Sequence, residues 1–159
     1  MISRVALPLP YDTNLNGFIG APSQGWGDDP PSISGDDVLL SLTIDFYGNQ
    51  QKLALVRALA DSMKEHGIHW MLVNFPVSPK YKNTKAYSLF GPSWNTAHDI
   101  IDTLKKIDSG TTYFHFYDAN ICGDHDYAFE DFCDENHLST LGALKLSMRV
   151  DSLVHTILP

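Results

Sequence analysis

Gln50–Phe75 reads QQKLALVRALADSMKEHGIHWMLVNF, and the two patterns in it decide the fold. Leu53, Val56, Leu59, Ala60 and Met63 recur at three- and four-residue spacings, which line one face of a helix over Gln50–His66. Asn49 stands where an N-cap is expected and Gly67 where a helix closes on a left-handed residue. Ile68–Phe75 (IHWMLVNF) then runs mostly apolar, as a strand buried in a parallel sheet does. Pro76 and Pro79 end it.

The same alternation continues outward. Upstream, Val38–Asp45 (VLLSLTID) sets Val38, Leu40, Leu42 and Ile44 against smaller or polar neighbours, a strand signal. Downstream, Ser93 can cap a helix carrying Trp94, Ala97, Ile100, Ile101, Leu104 and Ile107. Gly110 follows, then a third strand, Thr111–Tyr117. After about twenty irregular residues the pattern predicts a last helix over Ser139–Ile157, lined by Leu141, Leu144, Met148 and Leu153. The order β-α-β-α-β-loop-α predicts an α/β fold, a three-layer α/β/α domain with a short parallel sheet over residues 37–159. Residues 1–36 hold five of the nine prolines and five of the eleven glycines, and read as an irregular leader.

Composition narrows the function. Of 159 residues, 43% are hydrophobic and 19% charged, which excludes a disordered or low-complexity chain. The net charge of −8, with no Lys/Arg cluster, argues against nucleic acid as a partner. No apolar run approaches the roughly 18 residues that a membrane span needs. The opening MISRVALPLPYD is too short in its apolar part, and too rich in proline, for a secretion signal.

In an open parallel sheet, ligands bind beyond the carboxyl ends of the strands. Those ends are Asp45, Asn74–Phe75 and Asp118. From the third leaves DANICGDHDYAFEDFCDENH, residues 118–137, with seven acids, His125 and His137, and no Lys or Arg. Asp118, Asn120 and Gly123 imitate the opening of a calcium loop, but Cys122 and Phe129 fall where oxygen ligands belong. No tight His/Cys spacing suits zinc. No metal and no cofactor is therefore expected, and most of the acids read as a solvated face. Cys122 and Cys133 are the only cysteines and share this loop, so either two separate thiols or one local disulfide fits. A disulfide would imply folding outside the reducing cytosol.

Asp134 and His137 stand apart. A carboxylate three residues before a histidine, just ahead of a helix, can fold back on the imidazole, fix its tautomer and support its protonated form. Such a pair supplies the base and its orienting acid in a serine hydrolase.

With those residues in view, the chain resembles the SGNH (GDSL-type) hydrolases, a superfamily of esterases, lipases and carbohydrate deacetylases. Asp134-Glu135-Asn136-His137-Leu138-Ser139, followed by Gly142-Ala143, looks like the family's final Asp-x-x-His motif before its C-terminal helix. The resemblance covers residues 38–158 and implies a flavodoxin-like sheet of which these are the third, fourth and fifth strands. It implies His137 as base and Asp134 as its orienting partner, acting on an ester or acetylated carbohydrate or lipid. The oxyanion side or rim would fall near Asp45, Asn49 and Asn74. Asp45 stands where the family has an Asn, and an ionised carboxylate accepts but does not donate hydrogen bonds. No Gly-Asp-Ser nucleophile segment exists in the chain. Ser32 and Ser34 lie in a stretch with those letters in another order, and Ser78 and Ser93 lack a strand-to-helix elbow.

The domain therefore reads as the C-terminal half of an SGNH-like fold. Two functions follow from the resemblance. One is an ester hydrolase. The other is a non-catalytic binding or assembly module of a larger extracytoplasmic bacterial protein, with other domains of the parent chain as partners. The expected location is extracytoplasmic, with the cytoplasm as the alternative. A cofactor-binding flavodoxin-like protein ranks below both, because no glycine-rich phosphate loop follows any strand.

Overall fold

The computed structural model describes residues 21–26, 46–83 and 94–158. The expected strand Val38–Asp45, the helix cap Ser93, and Ser32 and Ser34 lie outside the described residues. Five main elements follow one another: α1 (Phe46–Glu65), β1 (Trp70–Asn74), α2 (Trp94–Ser109), β2 (Phe114–Asp118) and α3 (Thr140–Ile157). The protein is a mixed α/β structure whose described residues hold three α-helices and a two-stranded parallel sheet.

α1 begins four residues earlier than the apolar pattern predicted, so Asn49 lies inside the helix and is not its cap. Its far end is as expected. Gly67 adopts φ +65°, its N–H donates to the Lys64 carbonyl at 3.1 Å, and the Ile68 N–H reaches back to Met63 at 2.9 Å. These two bonds form the Schellman closure, which requires the left-handed conformation that glycine adopts without strain.

β1 and β2 pair in register from Trp70 opposite Phe114 to Asn74 opposite Asp118, joined by the crossover through α2. Alternation puts Trp70 and Leu72 on the same face as Phe114 and Phe116. These side chains pack against Ala60, Leu53 and Val56 of α1 and against Leu104, Ile107 and Ile100 of α2. Val73 and Tyr117 lie on the other face and join a second cluster with Ala119, Tyr127, Phe132, Leu138 and, from α3, Leu146 and Val150. Trp26 packs into that cluster edge-on to Phe129 and Phe132.

α3 corrects the expected lining. Leu141, Leu144 and Met148 are 56%, 58% and 63% exposed, so this stripe faces outward. The buried stripe is Gly142 and Leu146, continued by the half-buried Val150 and Leu153. A close approach sets that rotation: Gly142 sits against the backbone of Asp131, leaving no room for a side chain.

Candidate functional site around Asp134 and His137

Asp134 and His137 meet in the turn of a small hairpin. Phe132 and Leu138 form an antiparallel bridge, and the Cys133 N–H donates to the His137 carbonyl at 3.0 Å. Within the turn, Asp134 Oδ1 accepts the N–H groups of Asn136 at 2.8 Å and His137 at 2.9 Å. The same carboxylate faces His137 Nδ1 at 2.8 Å from Oδ1 and 2.9 Å from Oδ2. A carboxylate only accepts, so Nδ1 carries the proton and Nε2 is the nitrogen left to exchange one. The His137 side chain is 75% exposed, which places this ring at an open surface.

The turn is anchored on both sides. Toward α3, Ser139 caps the helix by accepting the Gly142 N–H at 3.3 Å, while its own Oγ donates to the Glu130 carbonyl at 2.8 Å. Residues 21–26 brace the hairpin from outside. Gln24 and Gly25 N–H groups both donate to the Phe132 carbonyl, and Thr140 donates to the Ala21 carbonyl through its N–H and Oγ1, each at 2.9 Å. Toward the sheet, the Ser78 N–H donates to the Glu135 carbonyl at 2.8 Å.

Five of the seven loop acids have hydrogen-bond or ion-pair partners, although Asp124 and Asp126 stay largely exposed at 59% and 67%. Asp118 Oδ1 accepts from Asn74 Nδ2 at 2.9 Å and from the N–H groups of Asn120 and Ile121 at 3.2 and 3.0 Å. Asp124 pairs with Lys82, and Asp131 with Lys145 at 3.1 Å. Asp126 takes Arg149 in a two-pronged pair of 2.8 and 2.5 Å, and Asp134 takes His137. Lys145 Nζ and Arg149 Cζ also lie 4.6 and 5.0 Å from the centre of the Tyr127 ring. Three cations from outside the loop, Lys82, Lys145 and Arg149, thus pair with three of its seven acids.

The Arg149 guanidinium holds the Asp126 carboxyl down at about 2, below its ordinary value of 3.8. Its stabilising contribution is therefore complete above 3.8 and is lost as the pH falls through about 2. Because the Asp126 side chain is 67% exposed, the effect on overall stability is small. The expected result is local: a carbon-detected NMR titration should find the Asp126 carboxyl ionised to about pH 2, and Arg149→Ala should return it toward the ordinary value.

The other expected site residues separate from the pair. Asp45 lies outside the described residues. Asn49 lies in α1, far along the chain from the turn. Asn74 ends β1, but its amide donates to Asp118, so this N–H is committed within the protein. Cys122 and Cys133 are each thiols, not bridged to one another. Cys122 packs with Ala97 and Ile101, whereas the Cys133 Sγ donates to the His137 carbonyl at 3.5 Å. Burial, with Asp134 beside it, pushes the Cys133 thiol above its ordinary value. Ser78 is fully buried, its Oγ accepting the Lys80 N–H at 3.3 Å, so it is closed to substrate. His69 and His115 lie away from the pair and bond each other at 3.1 Å beside Tyr113.

Ile121 and Cys122 adopt φ of 48° and 51°, a strained conformation for residues other than glycine. The Asp118 cap and the Gly123 N–H bond to the Asn120 carbonyl at 2.8 Å hold that turn at the carboxyl end of β2. No cluster of three or more metal-ligating side chains occurs among the described residues. Nor is any helix among them long and apolar enough to cross a membrane. Comparisons with models of known protein families, with curated proteins and with solved structures each find no match.

Proposed function

We propose that this chain carries the acid–base half of an SGNH-like ester hydrolase, acting on acetyl or other ester groups of a carbohydrate or lipid. The observation that carries the reading is the contact of His137 Nδ1 with both oxygens of Asp134, at 2.8 and 2.9 Å, in a turn immediately before the C-terminal helix. In this reading Nε2 takes the proton of a serine hydroxyl as it attacks the ester carbonyl. It then returns that proton to the departing alcohol, while Asp134 stabilises the imidazolium between the two steps. Water repeats the sequence to release the acid. The two apolar clusters on opposite sheet faces support the finer fold behind this reading, a three-layer flavodoxin-like arrangement.

Among the described residues no serine hydrogen-bonds to His137; the nucleophile of this mechanism comes from outside the matched residues 38–158, with Ser32 and Ser34 as the candidates within this chain. The loop's Lys and Arg partners among the described residues, Lys82, Lys145 and Arg149, are each paired with an acid, which favours an uncharged ester over an anionic one. The intact chain is expected to hydrolyse a chromogenic acetyl ester, and His137→Ala to reduce that rate to the uncatalysed background. Equal rates for the two proteins would remove His137 from the mechanism.

A second reading rests on α3. The outward stripe of Leu141, Leu144 and Met148 suits an assembly surface, as in a non-catalytic module of a larger extracytoplasmic protein. A chain that lacks esterase activity and gains a stable partner domain through this stripe would favour it.

A further inference from the structure

The turn that follows β1 is gripped from three directions. Pro76 and Ser78 are fully buried, and between them the Val77 N–H donates to Asn120 Oδ1 at 3.1 Å. His125 Nε2 lies 2.7 Å from the Val77 carbonyl oxygen, and the Tyr127 N–H lies 3.3 Å from His125 Nδ1. A carbonyl can only accept and a backbone N–H can only donate, so both ring roles are fixed. His125 is the neutral tautomer with its proton on Nε2.

The Val77 carbonyl and the Ser78 N–H are two ends of one peptide group. In a planar trans peptide they point in opposite directions, so fixing one end aims the other. The aimed N–H is the one that donates to the Glu135 carbonyl at 2.8 Å. Glu135 is the residue after Asp134 in the turn that presents His137. A continuous line therefore runs from His125 through one peptide group to the hairpin that bears the pair. Each bond in it polarises the next in the same sense.

We propose that His125 is a positioning residue for the Asp134–His137 pair, acting through the peptide group between Val77 and Ser78. The assignment rests on reading that pair as functional, but neither readout of its test involves a substrate. A failure of ester hydrolysis would leave these readouts unchanged.

Two variants separate the hydrogen bond from the packing. His125 also packs against Tyr127 and Phe132, with ring centres 5.5 and 5.8 Å away. His125→Phe keeps a ring there and removes the Nε2 donor, whereas His125→Gln supplies an amide donor in its place. Hydrogen exchange at the Ser78 amide and the ring nitrogen shifts of His137, recorded where the imidazoles are neutral, give the two measurements. In the native chain the His137 proton resides on Nδ1. In His125→Phe the Ser78 amide is expected to exchange roughly tenfold faster, the loss of about one net hydrogen bond, and the His137 proton to redistribute toward Nε2. His125→Gln is expected to stay close to native in both. A folded His125→Phe with native His137 tautomer populations would overturn the proposal. So would a His125→Gln that matches His125→Phe in both readouts.

Discussion

Gly142→Ala is expected to be strongly destabilising although it adds a single methyl group. The added Cβ would overlap the Asp131 carbonyl oxygen and would lie 2.9 Å from both the Asp131 carbonyl carbon and Leu138 Cδ2. The obstacle is backbone on the inner side of the hairpin, so no rotamer change relieves it. Alanine normally improves a helix interior by about 1 kcal/mol over glycine, and here that gain is outweighed. Overpacking against backbone costs about 3 kcal/mol or more. For a domain of this size that lowers Tm by roughly 6–12 °C. The damage is also directed. Asp131 accepts the Ser139 N–H at 2.8 Å, and Ser139 caps α3, so displacing Asp131 disturbs the hairpin that carries Asp134 and His137. Thermal unfolding of Gly142→Ala beside Ala143→Gly, at the neighbouring helix position, provides the control. A native Tm for Gly142→Ala would show that the close approach is not a feature of the folded protein.

The second large effect is expected from Asp134→Asn, which should remove activity while leaving the fold intact. Asp134 Oδ1 accepts two backbone N–H groups, and an asparagine oxygen at that position keeps both. The amide nitrogen then stands at the Oδ2 position, 2.9 Å from His137 Nδ1, as a donor that competes with the retained oxygen at 2.8 Å; it favours the tautomer with its proton on Nε2 and removes the charge that supports the imidazolium. A ring protonated there cannot accept a proton from a nucleophile. In a serine hydrolase the wrong tautomer costs roughly four orders of magnitude in kcat. The expected result is an unchanged Tm, an unchanged KM and an ester hydrolysis rate near background. A rate within a few-fold of native would mean that Asp134 only shapes the turn.

The sequence announced the parts of this molecule that are built locally. The Gly67 closure, the apolar face of α2 and the Asp134–His137 pair each depend on residues within a few positions of one another. α3 shows where that ends. Its sequence carries two apolar stripes, Leu141-Leu144-Met148 and Leu146-Val150-Leu153, and periodicity alone does not choose between them. Gly142 chose, because the hairpin approaches on the side where a side chain is missing. The tether of the pair to the sheet was likewise illegible. His125 meets Val77, Asn120 meets the same residue, and Ser78 meets Glu135, all from more than 40 positions apart. All three use at least one backbone group, and the Ser78–Glu135 bond uses backbone on both sides, so no side-chain pattern marks the pairing. Arg149 and Lys145 of α3 reach back to Asp126 and Asp131 in the loop just before the helix, pairs that the spacing alone does not mark.

In the proposed mechanism Asp134 and His137 activate a serine. Treating the intact protein with a fluorophosphonate probe and mapping the adduct by peptide mass spectrometry reads that activation out. One labelled serine outside the described residues is expected, with labelling abolished by His137→Ala. No adduct on the folded native chain, or an adduct that forms equally fast in His137→Ala, would contradict it.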